Sequence, residues 1–223
     1  MKIPISQRLL ACAGFVNKGD RVADIGCDHG YLSIHLLTQG IAAHCIASDV
    51  REGPLQSAVT NAQKYGVSEK IEFYLSDGVR NIPRAFDTLV CAGMGGDTMV
   101  HILTDAPWLQ DRKYRLILQC QSKTPMLRQY LSENGWAILQ EQVLRDGRFL
   151  YTVMEVLWAP EEPRLTEAQT YFPPALLADR TPELAEYCRK ITDGIRLELQ
   201  FREDPDRQAL LEELEKLEQE DAI

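Results

Sequence analysis

Over the first fifteen residues the apolar positions Leu9, Leu10, Cys12 and Ala13 fall on one helical face, which predicts a short opening helix over residues 5–15. The pattern then changes. Apolar runs of strand length occur at residues 22–25, 45–47, 71–75, 89–92 and 116–118, and helix-length stretches lie between them at 31–38, 54–65, 98–103 and 125–133. Strand and helix in strict alternation predict an α/β protein whose parallel sheet is covered on both faces. Residues 136–144 and 148–158 break the rhythm, because they are joined through Asp146-Gly147, a dipeptide favoured in type I′ turns. The prediction is a mostly parallel sheet of seven strands that closes with an antiparallel hairpin.

Beyond Trp158, Pro160 and Pro163 mark an extended linker over residues 159–164. Leu184, Tyr187, Ile191, Ile195 and Leu199 then recur at helical spacing, as do Leu210, Leu214 and Leu217 after the cap signal Asp204-Pro205. These predict a C-terminal helical hairpin, coiled-coil-like, so the chain divides into a domain at 1–158 and a linker with hairpin at 159–223.

The 223 residues, 45% of them hydrophobic and 26% charged, suit one such domain with an appendage. Residues 1–158 balance 16 Lys and Arg against 16 Asp and Glu, whereas 159–223 hold 8 against 17, so the whole excess of −9 belongs to the appendage. An acidic total therefore says nothing against nucleic acid as a partner of the first domain. The opening apolar stretch, residues 9–16, falls far short of the roughly 18 residues that span a bilayer, so no membrane association is expected. The six cysteines form no CxxC pair; they are read as reduced thiols of a cytoplasmic protein, and no metal site is expected.

Candidate chemistry gathers at predicted strand ends. The first strand runs into Asp24-Ile25-Gly26-Cys27-Asp28-His29-Gly30-Tyr31, a tight turn that lets a ligand approach the backbone. A dinucleotide-binding turn carries glycine where this one has Asp28. A carboxylate about 4 Å from a phosphate repels it by roughly 4 kcal/mol at an effective dielectric near 20, and attracts an ammonium or sulfonium equally. The alternative is that Asp28 caps the following helix. Asp49, beside Val50 after the second strand, can accept both hydroxyls of a ribose, or it is a turn aspartate. After the third strand come Ser76, Asp77 and Gly78, where an aspartate can accept from an adenine amine and glycine leaves room for the ring. The fourth ends in Ala92-Gly93-Met94-Gly95-Gly96-Asp97, where glycines bring backbone near cofactor and target and Met94 offers a polarizable surface; alternatively the loop only precedes a helix capped by Asp97. The Asn/Asp-Pro-Pro-aromatic loop of exocyclic-amine methylating enzymes is missing. Open α/β sheets bind ligands beside the carboxyl ends of their strands, so these acidic turns converge on one cleft and point to S-adenosylmethionine.

Residues 21–32, Gly53-Pro54, Asp77-Gly78, residues 92–96, Leu116-Ile117-Leu118-Gln119 and Leu127-Arg128 together resemble the bacterial tRNA (adenine(22)-N1)-methyltransferases. The likeness runs through residues 1–158, and a C-terminal helical hairpin is also a feature of that family. Cys27 and Gly30 stand where Ser and Ala are expected, Ser48-Asp49 where Gly-Glu is commoner, and Cys120-Gln121-Ser122-Lys123 where the family often continues with Pro. The resemblance implies a Rossmann-like class I methyltransferase fold and methyl transfer from S-adenosylmethionine to N1 of an adenine in tRNA. On that basis Asp28 stabilises charge on the base or holds the cofactor's ammonium, while His29 and Tyr31 orient the base or handle its amino proton; the alternatives are a first-turn helix residue for His29 and a core residue for Tyr31. Asp24, Gly26, Cys27, Asp28, Gly30, Asp49, Val50, Ser76, Asp77, Gly78, Ala92, Gly93 and Met94 surround the cofactor. Met94, Gly95, Gly96, Arg8, Lys123 and Arg128 meet the substrate, with Lys18, Arg21, Arg112, Lys113, Arg115, Arg145 and Arg148 as further cations for tRNA. The acidic hairpin either clamps tRNA through Arg189, Lys190 and Arg196 or dimerises. Methylation of a small molecule or protein, and a non-catalytic cofactor-binding module, are the competing readings; a nicotinamide oxidoreductase ranks below both because of Asp28 and the hairpin.

Overall fold

The computed structural model describes residues 2–220. Helix α1 (Gln7–Gly14) is capped by Ser6, whose side chain accepts from the Leu9 N–H. It precedes β1 (Arg21–Ile25), α2 (Tyr31–Thr38), β2 (His44–Asp49), α3 (Glu52–Lys64), β3 (Ile71–Leu75), β4 (Thr88–Met94), α4 (Gly96–Thr104), β5 (Arg115–Cys120) and α5 (Thr124–Glu133). The expected hairpin is β6 (Trp136–Asp146) and β7 (Phe149–Trp158). The seven strands form one sheet in the order β3-β2-β1-β4-β5-β7-β6. Strands β1 to β5 are parallel neighbours, and β7 runs antiparallel to both β5 and β6.

The chain leaves β1 for β2 on one side and returns to β4 on the other, so the order reverses between β1 and β4. Parallel register brings Ile25 level with Ser48 and with Cys91, and Asp49 level with Leu75. The turns after β1, β2, β3 and β4 therefore open at one height. One core cluster packs α4 and α5 on the sheet through Met99, Leu103, Leu127 and Leu131; another, on Val22, Cys45, Ala47 and Ile117, holds residues of α1, α2 and α3.

The hairpin turn differs from expectation. Asp146 pairs with Phe149, so Gly147 and Arg148 are the central residues, and of these only Gly147 has positive φ, +62°. That is the pattern of a type II′ turn, which needs glycine at its first central position, rather than type I′. Strand β7 pairs with β5 only as far as Met154. The pairs from Gln142↔Val153 to Asp146↔Phe149 continue past it toward the carboxyl edge of the parallel strands.

The C-terminal region is more than a hairpin. Two short helices, α6 (Glu167–Tyr171) and α7 (Pro174–Leu177), precede α8 (Leu184–Phe201) and α9 (Pro205–Glu220). Thr166 and Gln169 form a complete capping box at α6. Phe172, Leu176 and Leu177 are buried with Val143 of β6, Leu184 and Cys188 of α8, and Leu210 and Leu214 of α9. The two long helices are thereby docked on the edge of the sheet. All six cysteines are free and buried, and burial pushes the Cys12, Cys45 and Cys188 thiols up to about 12. No helix among the described residues is long and apolar enough to cross a membrane.

Arg128, expected to meet tRNA, is instead wholly buried, with 0% of its side chain exposed. Its Nε and Nη2 donate to the two carboxylate oxygens of Glu141 at 3.1 and 2.7 Å, and Nη1 donates to the carbonyls of Thr170 and Tyr171 at 2.9 and 2.7 Å. One guanidinium thus joins α5, β6 and α6. Desolvating it would be prohibitive without that full set of partners, and removing one side leaves an uncompensated buried charge. Arg128→Met should cost about 3–5 kcal/mol in urea unfolding at neutral pH. The double variant with Glu141→Leu should lose clearly less than the sum of the two single losses; strict additivity would refute the coupling.

Candidate functional site

A cleft of about 460 Å³ opens at the topological switch, lined by the turns after β1 to β4 together with α1. The first turn is built from backbone that few side chains tolerate. Gly26 has φ +71°, and a Cβ there would overlap the Met94 methyl. Gly30 has φ +72°, and a Cβ would lie 2.9 Å from that of Ala58 on α3. Between them Asp28 takes φ +49°, a conformation open to aspartate because its short polar chain tolerates it. The Cys27 N–H donates to the Ser48 carbonyl at 2.8 Å, and the Asp28 N–H to Asp49 Oδ2 at 3.2 Å. The residue that caps α2 is Gly30, without any side-chain hydrogen bond, so Asp28 is not the helix cap. Its carboxylate lines the cleft and is 61% exposed.

Asp49 is the turn aspartate of one reading and stands in the cleft where the other needs it. As a turn aspartate its Oδ1 accepts from the Arg51 N–H at 2.9 Å, while Oδ2 braces the first turn. It also lines the cleft, and each carboxylate oxygen can accept again. Asp24 is buried, accepts from Ser33 Oγ at 2.8 Å, and has its carboxyl pushed up to about 6 by burial, with the Ser33 hydrogen bond acting in the opposite direction. Asp77 stands at the far wall, its Oδ2 held by Arg80 Nη1 at 2.8 Å. Ser76 shapes that turn by donating to the Gly78 carbonyl at 2.9 Å and accepting from the Asn81 N–H at 3.1 Å. Gly78 lines the cleft beside Ile102, and a Cβ there would stand 3.0 Å from Ile102 Cγ1. Ile102 itself supplies the apolar wall.

On the fourth strand the β4–β5 register shifts between Ala92 and Met94. Gly93, at φ +79°, donates its N–H to the buried Gln119 Oε1 at 3.0 Å. Ala92, Gly93 and Met94 line the cleft, but Gly95 and Gly96 do not. Their close approach is to the loop before α5: Gly96 N–H donates to the Ser122 carbonyl at 2.9 Å, and a Cβ on Gly96 would come within 2.9 Å of the Lys123 carbonyl. Gly95, not Asp97, occupies the cap position of α4. Lys123 lies outside the cleft, paired with Asp97 at 2.6 Å.

Arg8 does line the cleft; its Nε is 2.8 Å from Asp146 Oδ2 and its guanidinium stands 5.4 Å from the Tyr151 ring centre. His29 and Tyr31 sit outside the lining, their rings 5.9 Å apart, with His29 Nε2 3.7 Å from Asp28 Oδ2. Cys27 and Val50 line the cleft, and Gly30 stands behind the turn. Leu9, Leu32, Arg51, Thr98 and Gln121 also line it, although sequence reasoning passed over them. Thr98 could have been found, since it lies in the first turn of the helix that the glycine-rich loop opens. Arg115 is paired inward with Glu155 at 2.6 Å and so does not meet tRNA as expected. Among the described residues no group of three or more His, Cys, Asp or Glu is placed to hold a metal. The cleft presents four carboxylates, Asp24, Asp28, Asp49 and Asp77, against the guanidiniums of Arg8 and Arg51.

Residues 5–154 match the family model of the methyltransferase domain. The chain is 31% identical over 154 residues to the tRNA (adenine(22)-N1)-methyltransferase of Bacillus subtilis, covering 69% of this chain and 65% of that relative. It is 31% identical over 159 residues, 70% of each chain, to a candidate tRNA methyltransferase of Mycoplasma genitalium. A Streptococcus pneumoniae protein, a candidate tRNA (m1A22) methyltransferase crystallised with S-adenosyl-L-methionine, superposes with a TM-score of 0.83 at 30% identity, covering 96% of this chain and 98% of that one.

Asp24 binds its proton more tightly in the folded protein than in the unfolded chain, where its value is 3.8. Its burial is therefore harmless below about pH 4 and costs stability progressively as pH rises through 6. Asp24→Asn mimics the protonated acid. The stability of the wild type relative to this variant should fall by about 3 kcal/mol between pH 4 and 7 in urea titrations, and a difference that stays flat with pH would contradict the assignment.

Proposed function

The chain belongs to the tRNA (adenine(22)-N1)-methyltransferase family of methyltransferase-domain proteins, and from that premise we propose that it methylates N1 of adenosine 22 in tRNA with S-adenosylmethionine as donor. The observation that carries this reading is the convergence of Asp24, Asp28, Asp49 and Asp77 on one cleft at the switch point of the sheet. Such a lining suits a ligand bearing an ammonium and a sulfonium and opposes the pyrophosphate of a dinucleotide. When bound, S-adenosylmethionine supplies an electrophilic methyl group.

The residues of the chain divide the remaining work. Asp49 accepts the ribose hydroxyls with the lone pairs its backbone partners leave open. Asp77 and Ser76 face the cofactor base, with Val50 and Ile102 as apolar walls; Val50 is 63% exposed, as a residue waiting to be covered by a ligand would be. Asp24 and the backbone around Gly26 surround the charged end. The target N1 has a free lone pair near neutral pH, so alignment matters more than a strong base. Methylation leaves positive charge on the base, and Asp28, exposed at the cleft, stabilises it as it develops. His29 and Tyr31, close to it in the chain, orient the base. N1 lies on the pairing edge, so the adenosine enters unpaired or turned outward. Residues 1–158 act as the catalytic unit, and the docked helices of 159–223 extend it toward the RNA.

Purified protein incubated with labelled donor and transcribed tRNA should place one methyl group at adenosine 22, read as a single reverse-transcription stop that a transcript with guanosine there abolishes. Turnover on a protein or small molecule but not on tRNA, or cofactor binding without turnover, would replace this reading. Asp28→Ala should lower kcat about 100-fold or more at saturating donor. Asp49→Ala should instead weaken donor binding about 10- to 100-fold in calorimetry. Near-normal turnover in the Asp28 variant would remove that residue from the chemistry.

A further inference from the structure

The tip of the β6–β7 hairpin carries, among its cations, aromatic rings that none of the roles above uses. Phe149 opens β7 and is 52% exposed. Phe149, Tyr151 and Val153 alternate onto one face of the strand, and Val153 is buried there among residues of α1. The Phe149 and Tyr151 ring centres lie 6.2 Å apart at 54°, and the Arg148 guanidinium is 4.8 Å from the Phe149 ring centre. Tyr151 in turn lies under Arg8, whose pairing with Asp146 fixes the tip against α1 and which itself lines the cleft. Aromatic surface flanked by two guanidiniums thus leads from solvent to the mouth of the site, along strands that run past the carboxyl edge of the sheet.

A methyl acceptor on the pairing edge of a base must be drawn out of its stack, and its neighbour then loses a partner. An exposed ring with adjacent cations is the surface that replaces such a partner, because every base has a π-face and the backbone phosphates are anionic. We infer that Phe149, backed by Tyr151 and flanked by Arg148, is the stacking surface for a nucleobase next to the methylated adenosine. The inference rests on the proposed function and adds a substrate-positioning residue to it. Phe149 touches neither donor nor reacting atom, so its effect falls on RNA binding.

The test uses full-length wild type, Phe149→Ala and Phe149→Trp with transcribed tRNA. Phe149→Ala should raise KM for tRNA about tenfold or more, leaving kcat, donor affinity and Tm nearly unchanged, while Phe149→Trp stays within about threefold of wild type. A 2-aminopurine placed beside the target adenosine should be quenched by wild type with S-adenosylhomocysteine, and much less by Phe149→Ala. A KM for the alanine variant within twofold of an active wild type would overturn the inference and leave the proposed function standing. A wild-type dimer that becomes monomeric in Phe149→Ala, at unchanged KM, would overturn it in favour of a second copy of the chain. Wild type that fails to methylate any tRNA would overturn both.

Discussion

The hydrogen bond from the Asp28 N–H to Asp49 Oδ2 ties the end of β1 to the end of β2, and the cleft depends on it. Parallel register brings the two strands to the same height, but only a buried acceptor can hold a turn whose residues 26, 28 and 30 all require positive φ. Aspartate tolerates that conformation better than most residues, and the surroundings hold it in place at Asp28. Met94 closes over Gly26 on one side and Ala58 packs against Gly30 on the other, so the turn is gripped from β4 and from α3 at once. What results is a rigid cradle in which the Asp28 side chain is free to serve a ligand, since neither helix capping nor core packing occupies it.

A second constraint sets where the C-terminal helices lie. A buried guanidinium is tolerable only with nearly all its donors engaged, and Arg128 finds its carboxylate and carbonyl acceptors on β6 and α6, with Tyr187 of α8 beside it. The strand and the short helix must therefore meet at Arg128, which seats Phe172 and Leu176 over the sheet edge and orients α8 and α9 as a fixed extension. The same pair explains why an arginine on an otherwise amphipathic helix faces inward: its target, Glu141, is on the neighbouring strand.

Features that depend on local period were legible in the chain. Alternating runs predicted the five parallel strands and the hairpin, and glycine-rich or acidic turns at their ends predicted which residues meet in the cleft. What escaped depends on partners distant in sequence. Nothing near Arg128 or Arg115 announces Glu141 or Glu155, so both read as surface cations. Gly95 and Gly96 looked like room for a ligand, but a glycine only says that something comes close, and here it is the loop at Ser122 and Lys123. The helices α6 and α7 are too short for periodicity to register, although the Thr166 to Gln169 capping box was there to be read.

An anionic cleft that must also admit a polyanion poses an electrostatic conflict, and the placement of charges at the site resolves it. Asp24 and Asp49 are buried at the floor, where low dielectric makes them strong at short range. Asp77, nearer solvent, shares its charge with Arg80, and Arg80 also holds Asp105. Arg8 and Arg51 stand along the same walls. Beyond about 8 Å at physiological salt an approaching phosphate is screened from the floor and meets these guanidiniums first. The acidic helices follow a different logic: Arg196 is held by Asp193 and Glu215, and Lys190 by Glu186. Exposed pairs of this kind are worth at most about 1 kcal/mol each, so exchanging a carboxylate for a phosphate costs little, yet the surrounding glutamates oppose it. The charge pattern therefore presents guanidiniums to a polyanion on the cleft side of the sheet, whereas the acidic helices oppose one.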